Sequence, residues 1–217
     1  MDTVTSARRP LKTRGTRWAQ ALARWLAARR VSPNGISIVS LGFAALGAAA
    51  VLAAPAVSPG ARTLLLLLAA ACVQLRLLCN LLDGMVAVEG GLGSPSGPVY
   101  NELPDRIADP LFLVPAGYAT GLALGPELGW MVGVLALITA YVRTLGASLG
   151  LPQDFRGPMA KPHRMATLTA GLVAAALGVP WGWEGPLLAV ALALILLGTL
   201  WTAVRRTATL VGALGSR

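Results

Sequence analysis

Acidic residues are scarce in this chain. Of its 217 residues only nine are Asp or Glu, against 18 Lys and Arg. Charged residues of both signs make up 12%, while 55% are hydrophobic and the mean hydropathy is +0.67. That is too apolar for a soluble domain of this size and fits a single membrane domain. Histidine occurs once, as His163 between Pro162 and Arg164, where it reads as a loop residue rather than a catalyst. The two cysteines, Cys72 and Cys79, sit in one apolar run. Their spacing matches no metal pattern and excludes a disulfide framework, so both are expected to be core residues. No internal repeat is visible, which weighs against a small transporter. No cleavable signal peptide is expected, because the first long apolar run begins only at Ile36 and continues to spanning length.

The formal net charge is +9. In a soluble protein this would suggest a nucleic-acid partner. Here the basic residues flank apolar runs, so they read as topology signals and contacts to anionic lipid headgroups, with no nucleic acid as partner. Residues 1–15 are basic and expected to be disordered. From Thr16 to Arg30 an amphipathic helix is expected, with Trp18, Ala21, Leu22, Trp25 and Leu26 on one face and Arg29 at its end. Such a helix suits the membrane interface, or alternatively packs on the core. Ser32-Pro33-Asn34 breaks it and caps the next helix.

Six apolar runs come after that break: 36–54, 63–82, 108–124, 129–149, 165–179 and 186–203. The first, at ~1.5 Å per residue, nearly crosses a hydrocarbon core of ~30 Å. The expected fold is therefore all-α and integral to the membrane: a six-helix transmembrane domain (32–217) preceded by a basic N-terminal segment (1–31) that carries the amphipathic interfacial helix. Pro110 and Pro115 are expected to kink the third span. Eight of the 18 basic residues precede Ile36, and the second-to-third and fourth-to-fifth connections carry Arg106, Arg156, Lys161 and Arg164. The opposite connections carry only Arg62. The positive-inside rule puts both termini in the cytoplasm, in the cell's inner or plasma membrane.

Five of the nine acids fall between Asn80 and Asp109: Asp83, Glu89, Glu102, Asp105 and Asp109. Carboxylates at the end of a membrane helix are expensive to desolvate, which makes them candidates for function. Asn80, Asp83 and Ala87 share one helix face, and Asn101, Asp105 and Asp109 share another. Two such faces joined by a Gly/Ser/Pro-rich loop can converge on a hard divalent cation. Arg76, two turns before Asp83 inside the second span, has two readings: a contact for an anionic substrate, or a structural partner for one of the acids.

The stretch resembles the signature of the CDP-alcohol phosphatidyltransferases, D-x2-D-G-x2-A-R-x8-G-x3-D-x3-D. Asp83, Gly84, Ala87, Gly97 and Asp105 match at the right spacing. Asn80 and Asn101 stand in two of the four acidic positions, and Val88 stands where the signature has Arg. The resemblance implies a metal-dependent transfer of a phosphatidyl group from a CDP-linked lipid, such as CDP-diacylglycerol, to an alcohol acceptor, with release of CMP in phospholipid biosynthesis. It implies Asn80, Asp83, Asn101 and Asp105 as ligands for one or two Mg²⁺ or Mn²⁺ ions. Asp105 is implied as the base, and Asp109 as a substitute ligand or second catalytic acid. Asp83, Gly84, Ala87 and Gly97 would face the nucleotide, and Arg143, Lys161 and Arg164 an acceptor phosphate. A homodimer is implied as well. The departures at Asn80, Val88 and Asn101 also admit a member that binds lipid or nucleotide without turnover.

Overall fold

The computed structural model describes residues 12–216. The expected disorder of the N-terminus falls largely on residues 1–11, outside that range. Lys12–Gly15, expected to be disordered too, forms a 3-10 turn. Among the described residues seven α-helices follow: α1 (Arg17–Ala28), α2 (Pro33–Ala53), α3 (Pro59–Val88), α4 (Gly97–Ala119), α5 (Gly125–Ser148), α6 (Lys161–Gly178) and α7 (Glu184–Gly215). Each of α2 to α6 has a proline in its first two positions. There the missing N–H costs nothing and the fixed φ suits the helix. Ser32 caps α2 by accepting from the Gly35 N–H at 3.3 Å.

The helix ends differ from the expected spans for local reasons. α4 runs through Pro104, Pro110 and Pro115 as one continuous helix. It stops at Ala119 rather than residue 124, where the Thr120 hydroxyl donates to the Gly117 carbonyl at 2.8 Å and Gly121 takes φ +65°. α7 continues twelve residues past Ala203. The cause is Arg206, buried on the inner face of α7, which donates to the carbonyls of Thr139 at 2.9 Å and Arg156 at 2.9 Å.

The six long helices close into a ring in the order α2, α3, α6, α7, α5, α4 and back to α2. One core of Leu, Ala, Val, Met and Phe fills it, centred on Phe112, Leu168, Leu172, Leu192 and Ile195. Helix backbones come close where glycines allow it. A Cβ on Gly117 of α4 would lie 2.7 Å from the Gly129 Cα of α5. Cys72 and Cys79 are buried free thiols, as expected. Among the described residues, the helices at 33–56, 59–88, 125–148 and 184–215 are long and apolar enough to cross a membrane. The other two helices of the ring are the polar ones: α4 carries Asp105 and Asp109, and α6 opens with Lys161 and Arg164.

α1 lies outside the ring against α3. Its packed stripe is Ala19 and Ala23, resting among Ile36, Cys79, Leu82, Met85 and Val86, with Leu22 and Leu26 half-buried beside them. Trp18, Ala21 and Trp25, expected on the same face, point away from the protein. The Arg29 guanidinium stacks 3.7 Å above the Trp25 ring, which disposes of the charge at the end of the apolar face.

Candidate active site

The up-and-down order of the ring gathers the first turns of α2, α4 and α6 and the last turns of α3 and α5 at one end. Every charged residue singled out in the sequence as a site candidate lies there. Helix N-termini contribute positive partial charge, so three of the five ends favour anions.

The acids of this end occupy two levels. Asp83, near the end of α3, is buried at 4% exposure and accepts from the Ser37 hydroxyl of α2 at 2.6 Å. Its Oδ1 has no hydrogen-bond partner. Asp105 of α4 is held from several sides. Its Oδ1 accepts from Arg76 Nη2 at 2.5 Å and from the Asn80 amide at 2.5 Å, and its Oδ2 pairs with Lys161. Asp109, one turn deeper and 2% exposed, lies between Arg76 Nη2 at 3.6 Å and Arg164 Nη2 at 3.3 Å. Arg76 is fully buried, at 0% exposure, and touches both acids. Of its two open readings, the structural pairing is therefore realised.

Several guanidinium donors here lack hydrogen-bond acceptors: Arg76 Nε and Nη1, and Arg164 Nε and Nη1. A buried guanidinium with idle N–H groups is costly unless an anion joins it. The cluster can therefore take negatively charged oxygens as well as stabilise its own carboxylates.

Not every sequence candidate joins the cluster. Arg143 of α5 grips both oxygens of Glu102, at 2.6 and 2.7 Å, and pairs with Gln153, with the Phe155 ring 5.2 Å from its centre. It flanks the acids rather than touching them. Asn101 is exposed at the mouth, and His163 is an exposed residue of the first turn of α6. Gly84 and Ala87 are half-buried on α3. A Cβ on Gly97 would meet nothing closer than the Ser94 hydroxyl at 3.8 Å, so the space beside it is open. The loop before α4 is tied back to α2, because the Asn34 amide donates to the hydroxyls of Ser94 at 3.2 Å and Ser96 at 3.4 Å. In the loop before α6, burial pushes the Asp154 carboxyl up, but its hydrogen bonds from Arg156 outweigh this and leave it below its ordinary range.

Two contributors were not assigned from the sequence. Ser37 carries no motif, and its partner lies 46 positions away on another helix. Glu102, which the sequence offers only as an acid able to compensate for the missing charge at Asn80 and Asn101, instead organises Arg143 and Arg106.

The donor set bears directly on metal binding. Among the described residues no three Asp, Glu, His or Cys side chains converge on one point. Asp83 nevertheless presents a buried carboxylate oxygen that no side chain engages, and among the described residues no ion pair reaches it. Asn80 donates its NH₂ to Asp105, which leaves its amide oxygen free to face a cation. This all-oxygen set fits one hard divalent ion.

No family model matches the chain. Archaetidylinositol phosphate synthase of Aeropyrum pernix is 34% identical over 143 residues, covering 65% of this chain and 67% of that protein. Among solved structures, phosphatidylinositol phosphate synthase of Mycobacterium tuberculosis with CDP-DAG bound superposes with a TM-score of 0.72 at 24% identity, over 90% of this chain and 94% of that one. The same enzyme in complex with manganese and citrate gives a TM-score of 0.72 at 23% identity over 88% of each chain. The structural likeness establishes a shared fold. With the curated relative and the signature from Asn80 to Asp105, it makes this chain a membrane enzyme of the CDP-alcohol phosphatidyltransferase family.

Proposed function

We propose that the chain transfers a phosphatidyl group from a CDP-linked lipid, CDP-diacylglycerol or a close analogue, to a phosphorylated alcohol of the inositol phosphate class. The observation that carries this reading is the set of idle, buried donors on Arg76 and Arg164 beside Asp105 and Asp109, with the Lys161 ammonium on Asp105 next to them. A plain alcohol would leave them unsatisfied, whereas an acceptor phosphate gives them charged oxygens at bidentate geometry. The relatives act in the same sense: one is named for an archaetidylinositol phosphate product, the other for phosphatidylinositol phosphate.

In this reading Lys161 exchanges Asp105 for the incoming acceptor phosphate. Asp105, released on one side, takes the proton of the acceptor hydroxyl. The hydroxyl oxygen attacks the phosphorus that carries the lipid, the bond from that phosphorus to the CMP oxygen breaks, and its electron pair leaves with CMP. Ser37 fixes the Asp83 carboxylate. Asp109 anchors Arg76 and Arg164, while Gly84, Ala87 and Gly97 leave the nucleotide room. Arg143, steered by Glu102 and Gln153, guards the acceptor side. One Mg²⁺ or Mn²⁺ ion on Asp83, with oxygens from Asn80, Asn101 and Asp105, would supply positive charge for the pyrophosphate. The six long helices span the membrane with the site end and both termini in the cytoplasm. α1 lies in the interface with Trp18 and Trp25 in lipid, and two copies pair as a homodimer.

The test is CMP release by the purified chain in lipid nanodiscs, supplied with CDP-diacylglycerol, Mg²⁺ or Mn²⁺, and alcohols with and without a phosphate. Metal-dependent release is expected with a phosphorylated acceptor. Asp105→Asn should lower it by about 10²-fold or more, the usual scale for a lost general base. Equal turnover of plain and phosphorylated acceptors would refute the acceptor assignment.

A further inference from the structure

Two of the four acidic positions of the signature are amides here, Asn80 and Asn101, so the site has lost two negative charges. It also holds a cation inside a span. Arg76 comes from inside the α3 span, is fully buried, and places one nitrogen between Asp105 and Asp109. With half-buried Lys161 and buried Arg164, three cations pair with the two carboxylates of Asp105 and Asp109, while Asp83 stands apart on Ser37. Asp105 and Asp109 are thus balanced before any metal arrives. A second divalent ion bridging Asp105 would meet the Arg76 guanidinium at close range, with no carboxylate left to offset it.

We propose that Arg76 is a resident cation standing in for one of the two divalent ions that phosphotransfer sites of this kind employ, so that this enzyme works with one exchangeable ion. The inference rests on the phosphotransfer reading of the site. Arg76 supplies what the missing ion would supply: positive charge held at a fixed point, and two idle donors, Nε and Nη1, free for phosphate oxygens. Unlike an ion it neither dissociates nor needs four carboxylates. The two amides are then a consequence of Arg76. Acids at 80 and 101 would add charge that a single ion and one arginine have no use for.

The experiment counts Mn²⁺ bound per chain by electron paramagnetic resonance, using the full chain in nanodiscs with and without CDP, and measures CMP release in parallel. Wild type is expected to bind one ion. Asn80→Asp with Asn101→Asp should still bind one, because Arg76 occupies the second place. Adding Arg76→Leu to that pair should bring the count to two, and adding Arg76→Lys instead should leave it at one. Two ions in wild type, or in the Asn80→Asp/Asn101→Asp protein with Arg76 intact, would overturn the proposal. Neither measurement depends on Arg76→Leu folding. One ion without CMP release under any acceptor sinks the functional reading and leaves the role of Arg76 standing. Two ions with CMP release does the reverse.

Discussion

Ser37 and Asp83 show how much one hydroxyl can matter in this site. The 2.6 Å hydrogen bond fixes the carboxylate whose other oxygen is open to a cation. Residues that orient a metal ligand are worth roughly 10–100-fold in affinity. Ser37→Ala is therefore expected to weaken Mn²⁺ binding by about tenfold with little change in melting temperature, as read by calorimetric titration and thermal unfolding. Asp83→Asn should abolish that binding. Asn80, Asp83 and Asp105 were legible in the sequence because one short stretch holds them at helical spacing. Ser37 was not, since a serine in the first turn of an apolar helix carries no pattern until the helix it faces is known. Arg76 was visible as a charge in the wrong place, but its double contact depends on the packing of α3 against α4.

At the scale of helices, α2, α5 and α6 end within a residue of the expected runs, while each of the six long helices starts two or more residues before its apolar run. The prolines that open α2 to α6 and the Ser32 cap are local signals. The end of α7 is set instead by Arg206 reaching carbonyls of α5 and of the loop before α6. Arg206→Ala would remove two hydrogen bonds from a charged donor, at ~1.5–3 kcal/mol each. The expected outcome is a lower melting temperature, and hydrogen exchange that speeds up from Ala203 to Gly215 while α2 and α3 stay protected. The same contact explains why a run read as ending near residue 203 continues as helix. On α1, the small residues Ala19 and Ala23 lie against the bundle and the tryptophans do not. Hydrophobicity groups Trp18, Ala21 and Trp25 on one face with Leu22 and Leu26, but only the two leucines pack beside the alanine stripe.

For the whole molecule, the number of long helices and their alternation came from the apolar runs, whereas the ring order did not, because it depends on which faces fit. Orientation can be tested directly. Both native thiols are buried, so an introduced cysteine is the reactive one. In sealed right-side-out vesicles, Gly182→Cys should react with an impermeant maleimide and Ser216→Cys only after lysis. The opposite pattern would invert the topology.

The two ends of the bundle are built differently. Away from the acids, a methyl on Gly117 or Gly185 would strike backbone of a neighbouring segment, and Arg62 clasps Glu184 while donating to the Ala54 and Pro55 carbonyls at 3.1 Å. At the acidic end the helices are held apart by long side chains and joined by ion pairs that a substrate can exchange. Room for a nucleotide and an acceptor would therefore come from exchanging ion pairs at the acidic end, while the close-packed glycine end stays fastened.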